Sequence, residues 1–228
     1  MTDLLETKAE IAPLQERPPI LTSPRTVPAS WHAYKRSIDL VLGSLLCLLF
    51  APFVIAAIIA IVVASPGSPF FIQERVGLRG RIFKMYKLRT MVAGAHEMRE
   101  DLGHLNEADG PVFKIRNDPR LHALGPLLRK LSIDEMPNIL NVLKGEMSLV
   151  GPRPPLPCEV VHYGAYAARR LTMKPGITCL WQISGRSTIS FEEWMVLDNA
   201  YIDSWSPLGD CMIIAKTLPA VIKGVGAH

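Results

Sequence analysis

Cysteine is scarce and scattered. The four, Cys47, Cys158, Cys179 and Cys211, include no CxxC pair. That excludes a zinc ribbon and a disulfide framework, and favours a reducing, cytoplasmic setting. His96-Glu97 lacks the second histidine of a zinc helix, and Gly77 and Gly80 lack the spacing of a dinucleotide fingerprint. There is no internal repeat. No secretory leader is expected either, because the first apolar run begins only after Lys35-Arg36-Ser37-Ile38-Asp39. The net charge is only +4. It suits anionic head groups or phosphorylated substrates, and no nucleic-acid partner is expected.

Apolar residues are plentiful. The hydrophobic share is 49% and the mean hydropathy +0.21, which points to a membrane. Residues 1–30 carry Pro13, Pro18, Pro19, Pro24 and Pro28 without apolar periodicity, and are expected to be a disordered tail. The apolar run to Ala64 would be about 40 Å long as one helix, enough to cross a hydrocarbon core of about 30 Å. Pro52 sits in its middle, where proline removes a hydrogen bond and clashes with the preceding turn. Basic residues flank both sides: Lys35 and Arg36 before, Arg75, Arg79, Arg81, Lys84 and Lys87 after. The positive-inside rule then wants both flanks cytoplasmic. Residues 31–66 therefore read as a re-entrant hairpin of two half-helices broken at Pro52. A single kinked transmembrane helix is the alternative.

Residues 67–228 read as one cytoplasmic domain. The expected class is α+β, mostly helical, with amphipathic interfacial helices and a small β-hairpin. Pro69–Gln73 and Ile82–Lys87 have strand composition, with Gly77 and Gly80 marking the turn. Residues 93–111 are polar and read as a mobile helix or loop. Asn117-Asp118-Pro119-Arg120 reads as a turn into a basic amphipathic segment, Leu121–Leu131, suited to a membrane surface or to the core. A helix is expected over Glu159–Met173.

The chemistry concentrates in Leu128–Pro154, LRKLSIDEMPNILNVLKGEMSLVGPRP. Leu131, Ile133, Met136, Ile139, Leu140 and Leu143 recur at roughly helical spacing, and Gly145 is a helix stop. Ser132 to Glu135 fits a capping box, and acidic residues in a first turn also complement the helix dipole. Against that reading, Pro137 argues for a start at Asp134. Arg129 lies five residues before Asp134. Downstream, Arg153 is flanked by Pro152 and Pro154, which fix the backbone around a guanidinium suited to phosphate oxygens.

These motifs resemble the monotopic phosphoglycosyl transferases, the bacterial sugar transferase family. The resemblance rests on SIDEMPNILNVLKGEMSLVGPRP, on QERVGLRGRIFKMYKLRTM from Gln73 to Met91, and on Trp181-Gln182-Ile183-Ser184-Gly185-Arg186. It runs from about Lys35 to near the C-terminus, and Lys35-Arg36 with Asp39 is similar to the family's entry to its membrane helix. The family's Ser-Pro break stands here as Ala51-Pro52, and Cys179 replaces a frequent glycine. Asp39 is expected to pair with Lys35 or Arg36.

The resemblance implies transfer of a hexose-1-phosphate from a UDP-hexose, glucose or galactose, to undecaprenyl phosphate with loss of UMP. It implies attack by Asp134 assisted by Glu135, and a Mg²⁺ cofactor on Asp134. Arg129, Arg153, Arg186, Lys87 and Arg89 would hold phosphates, and Asp198 and Asp210 would support the site. The implied place is the bacterial inner membrane, among lipids, with the catalytic domain on the cytoplasmic face. A homo-oligomer is compatible with it. Plainer readings use the same residues: Lys87 and Arg89 as a solvated or head-group edge, Arg186 as a surface-loop arginine, Asp210 as the cap of the last helix. Trp194 and Trp205 suit a membrane interface or a core. Two rival functions stay open, a non-covalent membrane transferase and a non-enzymatic scaffold for polysaccharide assembly.

Overall fold

The computed structural model describes residues 27–223 apart from 96, 116 and 185–188. Its longest element is helix α1, Ala29–Ala64. At 1.5 Å per residue its length is about 54 Å. This helix is apolar and long enough to cross a membrane, with a mean hydropathy of 3.1 over its most apolar stretch. The helix is continuous through Pro52, where two half-helices were expected. One proline costs about 3 kcal/mol in a helix interior. Breaking the ladder would strand further N–H and C=O groups among side chains that offer no partners, so the helix persists. Leu48 and Val63 are 75% and 83% exposed, as lipid-facing residues would be.

The N-terminal end of α1 is held by charge. Asp39 does not pair with its own helix as expected. Its Oδ1 accepts from the Ser148 hydroxyl and the Leu149 N–H, both at 2.9 Å. Lys35 Nζ donates to Asp210 Oδ2 at 2.6 Å and to the Val150 carbonyl at 2.9 Å. Arg36 donates to the Val142 and Leu143 carbonyls at 2.6 and 2.8 Å. Helix ends leave such carbonyls without intrahelical partners. Asp39 is buried and Lys35 and Arg36 half-buried against the body, where charged groups need partners. That is why these three residues reach into the body rather than to one another.

After α1, strands β1 (Phe70–Val76) and β2 (Ile82–Leu88) form an antiparallel pair with Phe71 opposite Lys87 and Glu74 opposite Lys84. The turn between them uses Arg79 and Gly80 at positive φ, 56° and 77°. Residues 93–111 contain two single 3-10 turns, Glu97–Arg99 and Gly103–Leu105. Helix α2 (Gly125–Lys130) is followed by a 3-10 turn, Ile133–Asn138, and by α3 (Ile139–Lys144), which stops at Gly145 in the left-handed region.

Strand β3 (Ser148–Val150) runs parallel to β4 (Gly176–Thr178). A Cβ on Gly176 would lie 2.1 Å from the Gly151 nitrogen, so only glycine permits this approach. Between them, the helix expected over 159–173 is divided into α4 (Pro157–Val160), α5 (Ala165–Ala168) and a 3-10 turn (Arg169–Thr172), with Gly164 extended at the break. The chain ends with α6 (Leu180–Ile183), α7 (Phe191–Ser204) and α8 (Pro207–Lys223). Met147, Leu149 and Val150 meet Phe83, Met85, Tyr201, Ile202, Trp205 and Ile213 in one core, with Ile38, Leu42 and Leu46 of α1 packed on it. Trp194 and Trp205 are both buried, so they serve the core rather than an interface.

Replacing Asp39 by Ala leaves the Ser148 hydroxyl and the Leu149 N–H unpaired in a buried place. Each orphaned group costs about 1–3 kcal/mol. Asp39→Ala should lower the denaturant midpoint of the detergent-purified chain clearly, and Asp39→Asn, which keeps an acceptor, should lower it less.

Candidate active site

The site is built where α2, the 3-10 turn and β2 meet the end of α1. Ser132 takes φ 55°, a left-handed conformation, and turns the chain sharply between α2 and the 3-10 turn. In that conformation its hydroxyl makes no capping bond. The capping box is therefore absent, and Glu135 points elsewhere: its Oε1 accepts from Lys87 Nζ on β2 at 2.6 Å. Ile133 packs against Ala57 and Ile61 of α1, Leu88 of β2 and Leu128 of α2. The next residue, Asp134, is 8% exposed.

Burial, and then the neighbouring Glu135 charge, push the Asp134 carboxyl up to about 6, against the opposing pull of Lys87 and Arg129. Glu135 moves the other way, held below its ordinary value chiefly by Lys87. Two adjacent carboxyls thus differ in proton affinity because only one owns a salt bridge. Arg129, in the last turn of α2, donates from Nε to Thr90 Oγ1 at 3.1 Å. Burial lowers its proton affinity and the charge of Asp134 restores part of it.

Arg153 lies over the Trp194 ring at 5.5 Å and 3.9 Å from Glu159 Oε1, too far for a hydrogen bond. One of its nitrogens, Nη1, is buried without a hydrogen-bond partner. It also acts on Glu135 electrostatically. Arg75, on β1, was not singled out as a site residue. Its guanidinium forks onto Gln73 and donates to the Pro154 carbonyl at 2.9 Å. Burial and the nearby Arg153 push it down to about 9. Arg75, Lys87, Arg129 and Arg153 thus surround two carboxylates. Glu159 near Arg153 and Asp118 near Arg129 offset part of this charge, and the unpartnered Nη1 of Arg153 is the donor suited to a phosphate oxygen.

Other expected residues lie apart from this group. Arg89 donates to the Pro66 and Ser65 carbonyls, both at 2.7 Å, and so clasps the exit of α1. Asp210 takes Lys35 at 2.6 Å, the Tyr201 hydroxyl at 2.8 Å and Trp205 Nε1 at 3.0 Å, which leaves it neither at the carboxylates nor capping α8. Asp198 is buried beneath the Arg153 loop, where it pairs with Arg170 at 2.6 Å, and burial pushes it up to about 6. Arg170 in turn donates to the Arg153 carbonyl at 3.1 Å and to the Tyr163 hydroxyl at 3.0 Å. It also lies over Trp194 at 4.7 Å. Sequence reasoning missed Arg170, whose only signal was the Arg169-Arg170 doublet. Arg186 lies outside the described residues.

The chain matches the family model described as bacterial sugar transferase over residues 30–224. It is 46% identical over 198 residues to the galactosyl transferase CpsE of Streptococcus agalactiae, covering 85% of this chain and 43% of that protein. It is 39% identical over 198 residues to the exopolysaccharide production protein ExoY of Rhizobium meliloti, covering 85% and 88%. It is 40% identical over 203 residues to the UDP-glucose:undecaprenyl-phosphate glucose-1-phosphate transferase of Caulobacter vibrioides, covering 85% and 72%. The chain thus spans less than half of the streptococcal protein and most of the other two.

The raised Asp134 value carries a stability consequence. The folded chain keeps this proton up to about pH 6, whereas an unfolded aspartate releases it near its ordinary value of 3.8. Ionisation in that window therefore lowers stability as pH rises. At neutral pH Asp134→Asn should raise the melting temperature by a few degrees. The gain should vanish towards pH 4, where both forms are neutral; differential scanning fluorimetry across pH reads both effects.

Proposed function

The chain belongs to the bacterial sugar transferase family, and on that footing we propose that it transfers a hexose-1-phosphate from a UDP-hexose to undecaprenyl phosphate, releasing UMP. The observation that carries the reading is Asp134, a buried carboxylate among Lys87, Arg129 and their neighbours. Its neighbour Ile133 packs on the membrane helix. One substrate is a water-soluble nucleotide and the other a membrane lipid. A reactive oxygen beside α1 is within reach of both. The name of the Caulobacter relative supports the donor, the acceptor and the transferred group. That of ExoY supports a role in exopolysaccharide production, which such a transfer would initiate. The sugar is glucose or galactose.

The route is a double displacement. An Asp134 oxygen attacks the sugar-linked phosphorus, the phosphoanhydride bond breaks, and UMP leaves with its electron pair. A phosphate oxygen of the polyprenol then attacks the same phosphorus and returns Asp134 as a carboxylate. Arg129 and Arg153 face the charge that develops on the equatorial oxygens. Glu135 keeps Lys87 fixed in place through their 2.6 Å contact. The Asp134 carboxylate, with no ion-pair partner among the described residues, suits Mg²⁺, which takes one or two carboxylates plus substrate phosphates and waters. Asp134 would hold it, and the ion would neutralise diphosphate charge.

Both ends of α1 bind one polar body. Lys35 and Asp39 bind at one end, and the Ser65 carbonyl takes Arg89 at the other. A bilayer cannot separate two ends tied to the same polar surface. This supports a monotopic α1, bent at Pro52 without losing its helical ladder, that keeps both ends and the site on one side of the membrane, and the basic residues on both flanks favour the cytoplasmic side.

The decisive assay is UMP release by the full chain in detergent from UDP-glucose or UDP-galactose plus undecaprenyl phosphate. Ping-pong kinetics and sugar label on the protein before lipid is added are expected. Sequential kinetics without label would overturn the covalent route, and no UMP from either donor would overturn the reaction. Asp134→Asn should lose about 10³-fold or more of turnover. Since the attacking carboxyl must be ionised, wild-type turnover should fall as pH drops through about 6. Cysteines placed just before Lys35 and just after Ser65 should label from the same membrane side.

A further inference from the structure

The membrane-proximal end of the β1–β2 ribbon departs from the usual pattern. Phe70, Phe71 and Ile72 are consecutive, large, apolar and all exposed, Phe71 at 45%. Successive strand residues point to opposite faces. Both faces of the ribbon are therefore apolar at this end, where a water-facing ribbon would alternate. This end adjoins α1, because Arg89 holds the Ser65 and Pro66 carbonyls and its own N–H donates to the Pro69 carbonyl at 2.8 Å. It therefore continues the lipid-facing surface of α1, whose last turns expose Val62 and Val63.

The two faces differ further along. The register sets Phe71 directly opposite Lys87, and Gln73 and Arg75 follow Phe71 on the same face. Directly opposed residues have Cβ atoms about 4.5–5.5 Å apart. Lys87 Nζ lies 2.6 Å from Glu135, beside Asp134. Within one strand-pair width this face passes from an exposed phenyl ring at the lipid edge to a cation at the reactive carboxylates. A polyprenyl phosphate has the same order of parts: an apolar chain, then a dianion.

We propose that Phe71 is the lip over which the first isoprene units of the acceptor lie, guiding its phosphate to Lys87. This rests on the transfer reading above. It adds a residue that distinguishes acceptor from donor, since a nucleotide sugar arriving from water gains nothing from Phe71. Burying a phenyl ring against the chain contributes enough for about a tenfold effect on binding.

The test is steady-state kinetics of the full chain in nanodiscs, varying each substrate in turn. Phe71→Ala should raise KM for undecaprenyl phosphate about tenfold and leave KM for the UDP-hexose within twofold. Phe71→Leu, which restores apolar bulk, should recover most of the loss. Benzoylphenylalanine at position 71 should crosslink to undecaprenyl phosphate on irradiation. Unchanged acceptor KM, an equal rise in both KM values, or no lipid crosslink in a chain that still turns over would each overturn the lip and leave the transfer reading standing. A wild-type chain without turnover would overturn both.

Discussion

The organisation of this protein depends on how an apolar helix is fastened to a polar body. Fastening uses charge that is buried at Asp39 and half-buried at Lys35 and Arg36. Lys35, Arg36 and Asp39 occupy two turns of α1, and each finds its partner in a different element: α8, the end of α3, and β3. Burying such groups costs several kcal/mol apiece unless every hydrogen bond is met. Here they are met mainly by backbone carbonyls and N–H groups, which cannot move away. At the far end Arg89 repeats the device with two carbonyls.

The same rule separates the two carboxyls of the site. Glu135 has an ion-pair partner at 2.6 Å and Asp134 has none among the described residues, so one is stabilised as an anion and the other is not. Burial of Asp134 follows from Ile133, its neighbour, which is wedged among residues of α1, α2 and β2. Packing that fixes the turn on the membrane helix also removes water from the carboxyl. The strain of Ser132 at positive φ belongs to this arrangement, since the sharp reversal keeps Ile133 and Asp134 at the junction. The packing that keeps the carboxyl dry also makes its ionised form costly, and a proton affinity perturbed in this way marks a candidate site.

Much of this was legible in the sequence. Strand composition located both strands to within a few residues, and Gly145 ended its helix as its type requires. The grouping of Asp134, Glu135, Arg129 and Arg153 was readable because they are close in sequence. Lys87 joined them through its motif. What could not be read was the destination of long side chains. Arg89 and Asp210 carry the right charge for a site, yet they serve the two ends of α1. Arg75 and Arg170 look like surface arginines in a linear chain, and burial gives them their roles. The capping box failed because one backbone angle at Ser132 redirected the whole turn. Composition sets which charges exist, but only the packing of distant elements decides which of them meet.

Fastening α1 at both ends has a consequence for how such chains diversify. Asp39 and Ile61 are each registered against fixed partners on the same body. One inserted residue between them would advance one end by 1.5 Å and rotate it by about 100°. Asp39 or Ile61 would then face away from its seat. Adaptation to a thicker or thinner bilayer must therefore proceed by exchanging side chains along the exposed face of the helix, at constant length.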